Sequence, residues 1–112
     1  MELNVSIKGD LSIEEVALLK NFIENQNLEG IEQLVMERAT HHAGEQGLGK
    51  FLGSLMVTLT ENLNVVKEFF TQVNIFAAKY DRRIQIGDIV IPTNKLTGEQ
   101  IERIALKALG KN

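Results

Sequence analysis

The 112-residue chain contains no cysteine and no tryptophan, and it has one proline and one tyrosine. Without cysteine there is no disulfide framework, no thiolate metal site and no cysteine nucleophile, and a reducing compartment is the expected location. No apolar run approaches the roughly 20 residues that span a bilayer, and the N-terminal residues lack the basic and apolar regions of a secretory signal. We therefore expect a cytoplasmic protein without a membrane span.

A strong charge bias and a recognisable catalytic apparatus are also missing. Fifteen acidic and twelve basic side chains are mixed along the chain and give a net charge of −3. Such a surface weakly repels a phosphate backbone, so we expect no nucleic-acid partner. No serine has a Gly-x-Ser-x-Gly setting, and neither histidine has an obvious orienting partner, so we expect no enzyme. A hydrophobic content of 44 % is enough to close one core, which predicts a single domain over residues 1–112.

The first third of the chain predicts a strand, a helix and a second strand. Residues 3–7 alternate between apolar and polar side chains, as a half-buried strand does. Ser12 and Glu15 have capping-box spacing, so a helix is expected to begin at Ile13. Residues 31–40 fit either a helix or a strand. Residue propensity favours the helix, whereas a β-α-β unit favours the strand, and we predict a strand.

The middle of the chain predicts two helices. Apolar residues recur at helical spacing from 48 to 59, and polar residues at 60–64 break the pattern. A second apolar stripe runs from 66 to 80 with charged and polar residues between its members. The two segments are expected to form a helical pair that carries most of the core.

The last third predicts a hairpin and a final helix. Alternating runs flank Gly87, which can adopt the positive φ of a II′ turn. Thr97 and Gln100 have capping-box spacing, and Gly110 closes the helix that follows. The expected fold class is therefore α/β (mixed α+β) in the order β-α-β-α-α-β-β-α, with a four-stranded mixed sheet and helices packed on it.

A glycine cluster resembles a phosphate-binding loop. Residues 44–50 match the first seven positions of that motif. Gly44, Gly49 and Lys50 stand at its specified positions, and Gly47 adds a further glycine to the loop. The next position requires a hydroxyl side chain that holds magnesium, and Phe51 stands there instead. We therefore reject nucleotide binding and expect no cofactor.

The same region offers candidate interaction residues. Gly49 and Gly53 lie four residues apart on the predicted helix and leave a bare strip, which either the chain's own following helix or another protein can close. Lys50, Arg82 and Arg83 are candidate docking charges for an acidic partner. Arg82 and Arg83 also suit the C-terminus of a helix, where cations are stabilising.

Two adjacent histidines suggest an alternative function. His41 and His42 lie close to Glu45, and a helix here would bring Glu37, His41 and Glu45 to one face, where they could bind a metal. A solvated turn is the structural explanation of the same residues. We keep a small ligand- or metal-binding module built on His41, His42 and Glu45 as the alternative.

Five pieces of the chain also form a family-like pattern. They are the opening strand, the strand-like residues 31–37, the glycine loop 44–47 with its predicted apolar helix, residues 82–91, and the terminal helix after residue 98. In this order they resemble the effector-associated constant component family of bacterial conflict systems. The pattern departs at residues 39–43, where Ala-Thr-His-His-Ala stands in place of prolines.

The resemblance implies a non-catalytic component that couples a sensor or an activating partner to an effector through protein contacts. It also supports a strand at residues 31–37. We therefore expect an adaptor domain of a bacterial defence system that binds protein partners and self-associates. A subunit that completes the active site of a partner is a third possibility.

Overall fold

A computed structural model describes residues 1–9, 11–38 and 53–110. Within these ranges the chain forms five strands and three helices. Their bounds are β1 (Glu2–Gly9), α1 (Ile13–Asn25), β2 (Ile31–Arg38), β3 (Gly53–Thr60), α2 (Leu63–Tyr80), β4 (Ile84–Ile86), β5 (Ile89–Ile91) and α3 (Gly98–Ala108).

The five strands form one sheet in the order β2-β3-β1-β4-β5, and every neighbouring pair is antiparallel. Strand β3 lies between β1 and β2, so the β-α-β unit at the N-terminus is split by a third strand. The first six elements, β-α-β-β-α-β, have the connectivity of the ferredoxin-like arrangement. Since this arrangement carries many unrelated functions, the function has to be argued from particular residues.

The mixed α/β character agrees with the sequence prediction, and the strand predicted over residues 31–40 is confirmed in its described part, as β2. The hairpin is also confirmed: Gly87 has φ +60° between β4 and β5, as a II′ turn requires. Both capping boxes form, with Ser12 and Glu15 at α1 and with Thr97 and Gln100 at α3. The sheet itself differs, because it has five antiparallel strands where the sequence predicted a four-stranded mixed sheet.

The added strand comes from a segment that was predicted to be helical. Residues 53–60 form β3, so the predicted helix over 48–59 is wrong in its described part, and the helical pair with 66–80 does not form. Leu55, Val57 and Leu59 are buried, and the residues between them are half-buried, which is the period of a strand. Leu55, Met56 and Leu59 also satisfy helical spacing, since a short apolar run can fit both periods.

The hydrophobic core lies between one face of the sheet and the helices. Helices α1 and α2 contact the sheet, and α3 packs against α2. Three phenylalanines of α2 are fully buried in this core: Phe69, Phe70 and Phe76. No helix in the described ranges is long and apolar enough to cross a membrane.

Candidate functional site

Most of the glycine cluster and the histidine pair lie outside the described residues. This applies to Gly44, Gly47, Gly49, Lys50, His41, His42 and Glu45. Their interaction and metal-binding roles stay predictions. Among the residues that the structure describes, no group of three or more histidine, aspartate or glutamate side chains is placed to hold a metal ion.

Gly53 is the first residue of β3 and is buried under the start of α1. A Cβ atom built on it would lie 3.0 Å from Val16 Cγ2 and 3.4 Å from Ile13 Cα. Its N–H donates to the carbonyl of Leu11 at 3.1 Å. The chain's own α1 therefore closes the space above Gly53, whereas the sequence interpretation assigned this space to the helix over 64–80 or to another protein.

The arginine pair lies at the same end of the sheet as Gly53. Arg82 donates from Nε to Oε2 of Glu15, and Glu15 also accepts the Ser12 N–H at 3.0 Å. Burial raises the pKa of Glu15, whereas the Ser12 amide and Arg82 lower it, and the net shift is downward. Arg82 thus ties the end of α2 to the first turn of α1, and Arg83 is exposed beside it.

The sheet has an open face, on the side opposite the core. None of the three helices in the described ranges packs on it. Its exposed or half-buried residues include Glu2, Asn4, Lys8, Val35, Glu37, Met56, Thr58, Gln85 and Val90. Polar residues dominate it, with Thr58 Oγ1 donating to Asn4 Oδ1 at 2.8 Å. An antiparallel sheet commonly leaves one face to solvent, so the open face alone does not indicate a binding site.

The two edges of the sheet differ in how well they are protected. Strand β5 has three residues and is followed directly by Pro92, and both features discourage pairing with another chain. Strand β2 has eight residues, contains neither proline nor lysine, and pairs only with β3 in the described part of the chain. A register shift between Ile31 and Gln33 interrupts its beginning, and the remaining residues run in regular register.

The backbone direction at this edge follows from one hydrogen bond. Thr60 donates its N–H to the carbonyl of Gly30 at 2.7 Å, so Thr60 turns its backbone groups towards β2. Met56 lies an even number of residues away on the same strand and therefore turns the same way. Since Met56 stands opposite Val35, the backbone groups of Val35 point towards β3.

The neighbours of Val35 must then turn their backbone groups outwards. These are Leu34 and Met36, whose N–H and C=O groups point away from β3. Their side chains pack against the core, whereas the Val35 side chain is 40 % exposed on the open face. We term this side of β2 the free edge. It presents hydrogen-bonding groups that a further strand can pair with.

A groove of about 290 Å³ lies beside the first half of β2, on the core side of the sheet. It lies between the end of α1 and the start of β2 and is lined by Ile23, Glu24, Asn27, Leu28, Ile31, Glu32, Gln33 and Leu34. Its apolar floor is adjacent to the core, because Ile23 is buried and Leu28 and Leu34 are half-buried.

The surroundings of the groove are acidic. Residues 20–38 contain four glutamates, one lysine and one arginine, and Lys20 is paired with Glu24 at 3.0 Å. A hydrogen bond with Glu2, some desolvation and repulsion by the Glu2 carboxylate raise the pKa of Glu32, and the N-terminal ammonium opposes this rise. A carboxyl group whose pKa is raised by a second carboxyl marks a local excess of negative charge.

The sequence reasoning identified β2 as a strand but not its position at the edge. The lack of proline and lysine in residues 31–37 is visible in the sequence, yet it gains meaning only once the strand is known to lack a second neighbour.

No protein-family model, curated protein or solved structure matches the chain.

Proposed function

We propose that the chain is a non-catalytic protein-interaction domain that acts as an adaptor and binds a partner at the free edge of β2. The observation that carries this proposal is the contrast between the two sheet edges. A long, regular edge strand without proline or lysine risks unwanted pairing, and soluble proteins usually protect such strands. An edge that stays open is useful where a partner supplies the missing strand.

A nucleic-acid function has less support. Ferredoxin-like RNA-binding sheets stack bases on aromatic side chains of the open face. None of the five strands contains an aromatic residue. The open face also carries Glu2 and Glu37, which repel a phosphate backbone.

The biological setting of the proposal comes from the family resemblance. It is a cytoplasmic adaptor that joins a sensor or an activating partner to an effector in bacterial defence. An adaptor needs a surface that holds one protein in a defined position, and backbone pairing at a sheet edge fixes both the register and the orientation of a partner.

Site-specific photo-crosslinking in the source organism tests the proposal. A photoreactive phenylalanine analogue at Val35 is expected to give one defined protein adduct, because Val35 lies on the free edge strand and is 40 % exposed. The same analogue at Arg103, an exposed residue of α3, is the matched control and should not give that adduct. The captured protein, purified separately, should then form a stoichiometric complex with the chain. Identical adducts at both positions, or the lack of such a complex, would contradict the proposal.

A further inference from the structure

We infer that the partner inserts an extended, basic segment that pairs with β2 as a sixth strand and places apolar side chains in the groove beside α1. This inference rests on the proposed function and specifies the chemistry of its partner. Three features of the free edge lead to it: the outward backbone groups, the groove and the acidic charge.

The outward backbone groups set the length of the segment. Leu34 and Met36 each offer one N–H and one C=O to a new strand. The register shift between Ile31 and Gln33 interrupts the ladder on one side of them. Regular pairing is therefore centred on Val35 and extends over the residues of β2 from 33 onwards, which suits a short linear segment of a partner.

The groove sets the side-chain pattern of the segment. Successive side chains of a paired strand point to opposite faces of the sheet. The core-facing side chains of the partner next to Leu34 would then enter the groove beside Ile23 and Leu28, where apolar groups are favoured. The side chains between them would lie over the open face next to Val35. The expected segment alternates apolar residues with polar or charged ones.

The charge distinguishes a basic partner from a second copy of the chain. Residues 20–38 carry four glutamates against one lysine and one arginine, and the carboxyl group of Glu32 shares a hydrogen bond with Glu2 on the open face beside β2. A second copy of β2 would place residues 33, 35 and 37 over this face, of which Glu37 is acidic and none is basic. Lysine or arginine on a different partner would complement the acidic groups there. The self-association expected from the sequence is therefore not assigned to this edge.

A peptide selection tests the inference with a defined probe. A phage-displayed library of random heptapeptides is selected on the whole chain, and the enriched peptides are expected to alternate apolar residues with lysine or arginine. Synthetic versions should bind wild-type protein, and salt should weaken them. Enrichment of acidic peptides or of none would overturn the inference, as would binding that salt does not affect.

Two variants at Met36 locate the bound peptide. Met36→Pro removes the outward N–H, and Met36→Ala removes the same side chain but keeps that N–H, so the second variant is the matched control. Met36→Pro should bind the peptide about ten-fold more weakly than Met36→Ala, because a backbone hydrogen bond is lost and the ring obstructs pairing. Circular dichroism should show the same fold for both. Equal affinities would overturn strand pairing.

A variant at Glu32 measures how much the acidic charge contributes to peptide binding. Glu32→Gln keeps a similar shape and should weaken the basic peptide two- to five-fold at low salt, with no difference at high salt. Unchanged affinity at low salt would overturn the charge argument.

The captured partner separates failure of this inference from failure of the proposed function. If the partner captured through Val35 binds Met36→Pro and Met36→Ala equally, the adaptor function stands and strand pairing fails. If no partner complex forms at all, the adaptor function itself fails. A concentration-dependent dimer that Met36→Pro abolishes and Met36→Ala keeps would instead assign the edge to a second copy.

Discussion

Replacing Gly53 with leucine is expected to destabilise the chain by about 3 kcal/mol or more. The space above Gly53 is already filled, since a Cβ atom there would lie 3.0 Å from Val16 Cγ2 and 3.4 Å from Ile13 Cα. A leucine adds three further carbon atoms in the same direction, and α1 must move or the side chain must strain. The entropy that leucine removes from the unfolded chain offsets only about 0.4–1 kcal/mol, so the clash decides the sign.

Urea unfolding measures this effect, and Gly98→Leu is the matched control. Gly98 is exposed at the start of α3, and nothing lies within 4 Å of a Cβ atom built there. Its substitution should stabilise the chain by about 0.4–1 kcal/mol, because the same entropy is removed from the unfolded chain and no clash opposes it. If Gly53→Leu is as stable as the wild type, α1 does not close this space. Gly53 would then again be a candidate contact residue for another protein.

Replacing Asn74 with leucine is expected to cost about 2–3 kcal/mol. Asn74 lies on α2 and is 3 % exposed. Its Nδ2 group donates to the carbonyls of Pro92 and Asn94 at 3.3 and 3.0 Å, and its Oδ1 accepts the Leu96 N–H at 2.9 Å. One side chain thus holds the segment that joins β5 to α3. Leucine fills a similar volume but leaves the three backbone groups without this partner, and desolvated polar groups account for the cost.

Thermal and urea unfolding of Asn74→Leu and of Asn21→Leu measure this contribution. Asn21 is an exposed residue of α1, so the same chemical change there should stay within about 0.5 kcal/mol of the wild type. Hydrogen exchange at the Leu96 amide should accelerate in Asn74→Leu alone. An Asn74→Leu protein with wild-type stability and unchanged exchange at Leu96 would show that the segment is held by other contacts.

Features encoded by a few neighbouring residues could be predicted from the sequence. The capping boxes at Ser12 and at Thr97 form because each pairs two side chains with backbone groups three residues away. The turn at Gly87 forms because glycine adopts positive φ without strain. These features depend on local geometry, which is determined by residues close together in the sequence.

Features that depend on distant residues could not be predicted. The segment containing Leu55, Val57 and Leu59 becomes a strand because it pairs with β1 on one side and β2 on the other. Its apolar residues satisfy both periods, and only the tertiary pairing decides between them. The position of β2 at the edge has the same origin, since strand order is a property of the whole sheet.

The candidate site illustrates the same limit. Sequence reasoning concentrated on glycines and charges that form a visible pattern, and Gly53 proves to be packed by α1. The free edge consists of backbone groups at Leu34 and Met36, and the pattern of side chains in the sequence does not show which backbone groups lack a partner strand. Its acidic surroundings, by contrast, were visible in residues 20–38 as an excess of four glutamates over one lysine and one arginine.

Amide hydrogen exchange of the free chain and of its complex with the captured partner tests the central claim most directly. The account predicts that the Leu34 and Met36 amides exchange fast in the free chain and slow down in the complex. The Val35 amide, which faces β3, should be protected in both states. Protection of Leu34 and Met36 already in the monomeric free chain, or fast exchange at both residues in the complex, would contradict a partner strand at this edge.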